Sequence, residues 1–158
     1  RLDLRDSLLF VATEAGRVYS ITSVLGYDRS GDLAFFKIDP RGDRLIPMPL
    51  GSDLPAGASV HLLAHPAGYP YTYTHGRISR TFTKEAGNPF GNRVEITADF
   101  AKGSSGGPIM DDRGNMIAMV SCLHPIFYVD QPPSDRQMGI KECIPVSSIL
   151  RLMGKNGE

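Results

Sequence analysis

Apolar residues along this chain fall in short runs rich in Val, Ile, Phe and Tyr, and glycine and proline interrupt them throughout. Such runs favour strands over helices. They predict strands over Leu8–Thr13, Arg17–Tyr27, Leu33–Ile38, Ser59–Ala64, Tyr71–Phe82, Arg93–Ala98, Gly107–Met110, Met116–Leu123 and Gly139–Pro145. Turn signals separate them at Glu14-Ala15-Gly16, Arg29-Ser30-Gly31, Pro55-Ala56-Gly57 and Asp111-Asp112-Arg113-Gly114-Asn115. One helix is expected over Val146–Met153, capped by Ser147 and Ser148, with Ile149, Leu150 and Met153 as its apolar stripe and Gly154 at its end. The segment from Pro125 to Gln137 lacks periodicity and reads as an exposed loop. Short strands at this spacing imply an all-β barrel or sandwich.

Length and charge narrow the picture. A chain of 158 residues is one domain's worth, with apolar material for a core. Seventeen Lys and Arg balance seventeen Asp and Glu, so no global field draws in nucleic acid or an anionic membrane. No apolar run approaches the roughly 18 residues of a membrane span, and the first residues, Arg1-Leu2-Asp3-Leu4-Arg5, are not a signal peptide. Cys122 and Cys143 are too few for a disulfide scaffold and lack metal-ligand spacing.

The chemistry concentrates in Gly103-Ser104-Ser105-Gly106-Gly107-Pro108. A serine hydroxyl becomes a useful nucleophile when it is held at a sharp turn, with backbone N–H groups aimed at a developing oxyanion and a base beside it. Gly103 can adopt the dihedrals that turn its own N–H, with that of Ser105, toward a substrate carbonyl. Gly106 and Gly107 leave room for substrate, and Pro108 ends the turn. Taken alone, the hexapeptide could be a glycine-rich turn of no function.

Its context resembles the HtrA-like (Deg-type) group of trypsin-like serine peptidases. Gly31-Asp32-Leu33-Ala34-Phe35-Phe36-Lys37-Ile38-Asp39 is similar to the segment bearing that family's catalytic acid. Leu63-Ala64-His65-Pro66-Ala67-Gly68 and Thr74-His75-Gly76-Arg77-Ile78-Ser79 resemble the first hairpin of its second barrel. Ile109 to Ala118 resembles the hairpin after the nucleophile, and Cys143 to Ile149 the closing strand and helix. The resemblance spans nearly the whole chain. It implies a chymotrypsin-like double β-barrel with a C-terminal helix, in which residues 1–50 are the remainder of an incomplete first barrel and residues 51–158 form the second barrel and helix. It also implies that Ser105 is the nucleophile, Asp32 the acid that orients a histidine, and the N–H groups of Gly103 and Ser105 the oxyanion hole.

That histidine should precede Asp32, yet His61, His65, His75 and His124 all follow it. The family alignment puts Arg1 shortly after the strand and turn that carry the base, and double-barrel peptidases usually need roughly 200 residues. Two readings follow. The preferred one is a fragment of a serine endopeptidase that works through an acyl-enzyme and is inactive by itself, its partners being an extended peptide or unfolded protein and the histidine-bearing segment or another copy of the chain. The alternative is a histidine-free module that binds extended peptides by strand addition. An α/β-hydrolase esterase is disfavoured, because no Gly-x-Ser-x-Gly elbow lies between a strand and a helix. None of these needs a metal or organic cofactor, and family analogy alone points to the cell envelope or secretion.

By the same resemblance, Met119-Val120-Ser121-Cys122-Leu123 should pair with the substrate backbone, which makes Ser121, Cys122 and Leu123 substrate-binding candidates. Asp99, six residues before Ser105, is a candidate for the specificity pocket, with Lys102 able to neutralise it. His124 is a possible substrate contact, whereas His65 and His75 fall in structural segments. Cys122 and Cys143 lie on strands expected to be neighbours, either as a disulfide or as two buried thiols.

Overall fold

The computed structural model describes residues 9–130 and 133–154. Among these residues, nine strands, one short 3-10 turn (Pro66–Gly68, between β4 and β5) and one α-helix follow in order: β1 Phe10–Ala12, β2 Val18–Asp28, β3 Leu33–Ile38, β4 Ser59–Ala64, β5 Thr72–Thr83, β6 Asn92–Ile96, β7 Pro108–Met110, β8 Met116–Asp130, β9 Pro133–Pro145 and α1 Val146–Gly154. The expected all-β architecture with a C-terminal helix is what the chain forms. Leu8, at the start of the first predicted strand, lies outside the described residues. No described helix is long and apolar enough to cross a membrane.

The chain divides into two compact units, residues 1–47 with 151–158, and Met48–Leu150. Among the described residues the first carries an open antiparallel sheet in the order β1-β2-β3. Tyr19 and Leu33 are buried on it, while Phe10, Val18, Tyr27 and Phe36 stay exposed. Asp43 accepts hydrogen bonds from Arg17 and from the Tyr19 hydroxyl, and these hold its carboxyl below the usual carboxylate range.

The second unit is a closed six-stranded barrel in the order β4-β5-β6-β9-β8-β7. Side chains alternate across each strand, so Val60, Leu62 and Ala64 of β4 point inward together, and meet Val94 and Ile96 of β6, Ile109 of β7, and Ala118 and Val120 of β8. Closure removes the free edges of this sheet around its core. The hairpin between β7 and β8 turns on Asp111, whose Oδ1 accepts the N–H of Arg113 at 2.9 Å and of Asn115 at 2.8 Å, while its Oδ2 accepts the Asn115 side-chain amide at 2.9 Å.

Two expectations are corrected. Of the expected loop, residues 125–130 and 133–137 are the outer part of the β8–β9 hairpin, with Pro125 opposite Gly139, Ile126 opposite Met138 and Phe127 opposite Arg136, and residues 131 and 132 lie outside the described residues. Ile126, Tyr128, Val129 and Met138 are exposed there, so both faces meet solvent and no apolar period marks the strands. At α1, Ser147 and Ser148 are not the caps: the Asp53 carboxylate accepts the Ser147 N–H at 3.1 Å and its hydroxyl at 2.6 Å. The helix buries Val146, Ser148 and Leu152, and leaves Leu150 and Met153 exposed.

Candidate active site

Ser105 stands exposed on the loop that leads into β7. Backbone hydrogen bonds fix this loop: Ser104 N to Ala101 O at 3.0 Å, Gly107 N to Ser104 O at 2.9 Å, Gly106 N to Val120 O at 2.9 Å and Ala67 N to Lys102 O at 2.6 Å. Gly103 has a φ of +97°, and a Cβ there would lie 2.7 Å from the His65 carbonyl oxygen, so only glycine fits without strain. Among the described residues the N–H groups of Gly103 and Ser105 make no hydrogen bond, so two backbone donors on this loop remain for an external acceptor. The Ser105 hydroxyl donates to the Ser121 carbonyl at 3.0 Å. The Ser104 hydroxyl is buried and has no partner among the described residues.

Beside this loop β8 offers an edge. It is paired with β9 along its length but with β7 only from Met116 to Met119. Met119 is opposite Pro108, and Val120 exchanges hydrogen bonds with Gly106 and Gly107, so neither can receive a substrate backbone. Of the edge expected over Met119–Leu123, Ser121, Cys122 and Leu123 lie beyond the pairing with β7, and the Ser121 carbonyl already accepts the Ser105 hydroxyl. Ser121 is the extra residue at an irregularity between Val120 and Cys122, which re-aims the strand next to Ser105.

Asp99 is almost fully exposed and pairs with Lys141 at 2.8 Å, not with Lys102. Its backbone carbonyl accepts the Thr74 hydroxyl. Lys102 is exposed, and its part in the loop is the carbonyl that holds Ala67. Asp32, in the other unit, is exposed at the turn before β3 and has a φ of +56°, a left-handed conformation that Asp tolerates better than most residues. Asp28 builds that turn by accepting the Ser30 hydroxyl and the Gly31 N–H.

No histidine among the described residues hydrogen-bonds Ser105. His61 contacts the Tyr73 hydroxyl through Nδ1 at 2.7 Å and Asp112 through Nε2 at 2.8 Å, and this last contact pulls the Asp112 carboxyl below its ordinary range. His65 sets its ring edge-on to Tyr71.

Cys122 and Cys143 are both free thiols. Burial pushes the Cys143 thiol far up, which leaves it inert. Cys122 lies 3.1 Å from His124 Nε2, which is also 3.3 Å from Glu142 Oε2. Glu142 is buried and bonded to Arg93, itself buried, at 2.9 Å and to Lys84 at 3.1 Å. Burial pushes its carboxyl up, but the Lys84 and Arg93 hydrogen bonds and charges outweigh that and hold it below the usual range. Sequence reasoning missed this cluster, whose only trace is Cys-x-His on one strand. A cavity of about 600 Å³ opens elsewhere on this barrel, lined by Asp53, Ile78, Phe82, Arg93 and Pro145 among others, and Ser105 takes no part in it.

A profile of the trypsin-like peptidase domain matches residues 3–119. The chain is 31% identical over 132 residues to Protease Do-like 1, chloroplastic, of Arabidopsis thaliana, covering 80% of this chain and 28% of that protein. It is 38% identical over 124 residues to the putative serine protease HhoA of Synechocystis sp., covering 74% of this chain and 31% of that protein. The chain thus spans less than a third of the length of either relative. Among solved structures, the HtrA-type protease AlgW with a decapeptide superposes with a TM-score of 0.73 at 27% identity, over 93% of this chain and 43% of that one. Deg5 superposes with a TM-score of 0.65 at 27% identity, over 90% of this chain and 64% of its own. With a barrel of this topology, a glycine-rich loop presenting Ser105, and a profile match over most of its length, the chain belongs to the trypsin-like peptidase domain family, alongside the HtrA and Deg serine proteases.

Proposed function

We propose that this chain is the nucleophile-bearing part of a serine endopeptidase that cleaves extended peptides or unfolded protein through an acyl-enzyme. Ser105 attacks the scissile carbonyl, and the N–H groups of Gly103 and Ser105 receive the oxyanion. A histidine outside these 158 residues takes the Ser105 proton and returns it to the leaving amine, and Asp32, assigned by chain order and resemblance, orients that histidine. The substrate backbone adds to the β8 edge at Ser121, Cys122 and Leu123. The observation that most directly supports this reading is an exposed serine whose own N–H and that of Gly103 make no hydrogen bond among the described residues, on a loop that backbone hydrogen bonds fix. The solved AlgW structures with a decapeptide and a tripeptide are in keeping with a peptide ligand.

On this reading the 158 residues alone hydrolyse peptides poorly, because among the described residues the Ser105 hydroxyl meets the Ser121 carbonyl and no histidine, and a carbonyl is no base at neutral pH. In the protein with its histidine in place, a fluorophosphonate should label Ser105, and Ser105→Ala should abolish labelling. Labelling that survives the substitution removes Ser105 from the nucleophile position. A second reading, a peptide-binding module without catalysis, is favoured by the absence of a histidine partner for Ser105 among the described residues. It predicts peptide binding at the β8 edge and no labelling in any form of the protein.

A further inference from the structure

We propose that Cys122, His124 and Glu142 form a binding site for a zinc-like divalent transition-metal ion on the β8–β9 hairpin, beside the nucleophile loop. The strand geometry brings the three together. Cys122 and His124 are two residues apart on β8 and so share a face, and Glu142 of β9 is directly opposite Cys122 in the register. Cys Sγ, His Nε2 and a Glu carboxylate oxygen lie within 4.8 Å of one another, with Sγ to Nε2 at 3.1 Å and Nε2 to Oε2 at 3.3 Å. Ligand atoms about 2.0–2.3 Å from a tetrahedral zinc are roughly 3.3–3.6 Å from each other, so small side-chain adjustments suffice.

The way the atoms converge separates a metal site from a catalytic triad. A thiol–histidine–carboxylate relay uses both ring nitrogens, one toward the nucleophile and one toward the acid. Here thiol and carboxylate meet the same nitrogen, which can serve only one of them by a hydrogen bond. A cation at the common point satisfies all three at once. The donor set, one soft sulfur with an imidazole and a carboxylate, suits zinc over calcium or magnesium.

The surroundings also fit. Arg93 Nε and Lys84 Nζ bind Glu142 Oε1, with Lys84 at 3.4 Å from Oε2, and fix the carboxylate as outer partners of a metal ligand do. Their two positive charges offset the thiolate and carboxylate, so affinity should fall below that of the same ligands in a neutral setting. On binding, the Cys122 thiol loses its proton to solvent as the Zn–S bond forms, with no change of oxidation state. Cys122 is half-buried and His124 exposed, which leaves a fourth position open to water.

Binding can be tested without any turnover. In the purified protein, Zn2+ titrated against a chromophoric chelator should bind at one ion per chain, and Co2+ should give a sulfur-to-cobalt charge-transfer band. Zn2+ should also protect Cys122 from alkylation. Cys122→Ser should abolish the cobalt band, and His124→Gln should weaken Zn2+ binding by at least about tenfold, since even outer partners are worth that much. His61→Gln should leave both unchanged. Both decisive positions avoid the fully buried groups, whereas Glu142→Gln would orphan Arg93 and could cost the fold. Zn2+ binding unaltered by both decisive variants, or a cobalt complex with no sulfur band, overturns the proposal. A site that binds zinc in a protein never labelled at Ser105 would leave this inference standing and sink the peptidase reading.

Discussion

Replacing Gly103 by alanine tests whether the nucleophile loop is held in the conformation described. The residue has a φ of +97°, where an L side chain costs about 1–2 kcal/mol. The added Cβ would also stand 2.7 Å from the His65 carbonyl oxygen, a backbone atom that cannot swing away. His65 precedes a short 3-10 turn over Pro66–Gly68, and Ala67 of that turn is tied to Lys102 at 2.6 Å. Relief of the contact therefore breaks this bond, at about 1 kcal/mol. The sum is about 2–3 kcal/mol, or roughly 5–10 °C in melting temperature. Gly106→Ala is the internal control: its φ is +82°, but nothing lies within 4 Å of the place its new methyl group would take, so it should lose only about 1–2 kcal/mol. Urea denaturation of both variants isolates the contact. In the protein with its base present, displacing the Gly103 N–H should also slow fluorophosphonate labelling by about 100-fold, the scale of one lost oxyanion donor. Equal destabilisation by the two substitutions would refute the close approach to His65, and an unchanged labelling rate would refute the oxyanion assignment.

Two further predictions concern the same barrel. Ser104→Ala removes a buried hydroxyl that has no partner among the described residues, so denaturation should show unchanged or increased stability, by up to about 1 kcal/mol; a loss larger than that would mean the hydroxyl is bonded. The hydrogen bond from the Asn115 side chain leads the causes that hold the Asp111 carboxyl below its ordinary range, so its stabilising effect is fully present above the unfolded value of about 3.9 and is lost as pH falls through the lower folded value. The difference in melting temperature between the parent and Asp111→Ala should accordingly be constant near neutral pH and shrink below about pH 4. A difference independent of pH would show that the charge plays no part in the turn.

Much of this molecule follows from local sequence. Short runs of β-branched and aromatic residues between turn formers were enough to place β3 and β4 at their observed ends and the other strands nearby, apart from the outer halves of β8 and β9, because each run carries its own propensity and its own stops. The nucleophile loop was legible for a similar reason: three glycines, two serines and a proline in six residues meet the steric needs of a sharp turn wherever the chain takes them. Tertiary structure decided the rest. The outer β8–β9 hairpin has no apolar period, since both its faces meet solvent, and its strands are specified by one another across the register. The cap of α1 comes from Asp53, ninety-four positions away, a distance over which no local capping pattern operates. The partners of Asp99 and of Cys122 were likewise set by pairing between distant strands, which brought Lys141 to the first and Glu142 to the second. Local sequence thus determined which segments extend and where they turn. Which side chains meet was decided by barrel closure, because the register that pairs β9 with β8 and β6 is fixed only when the core is complete.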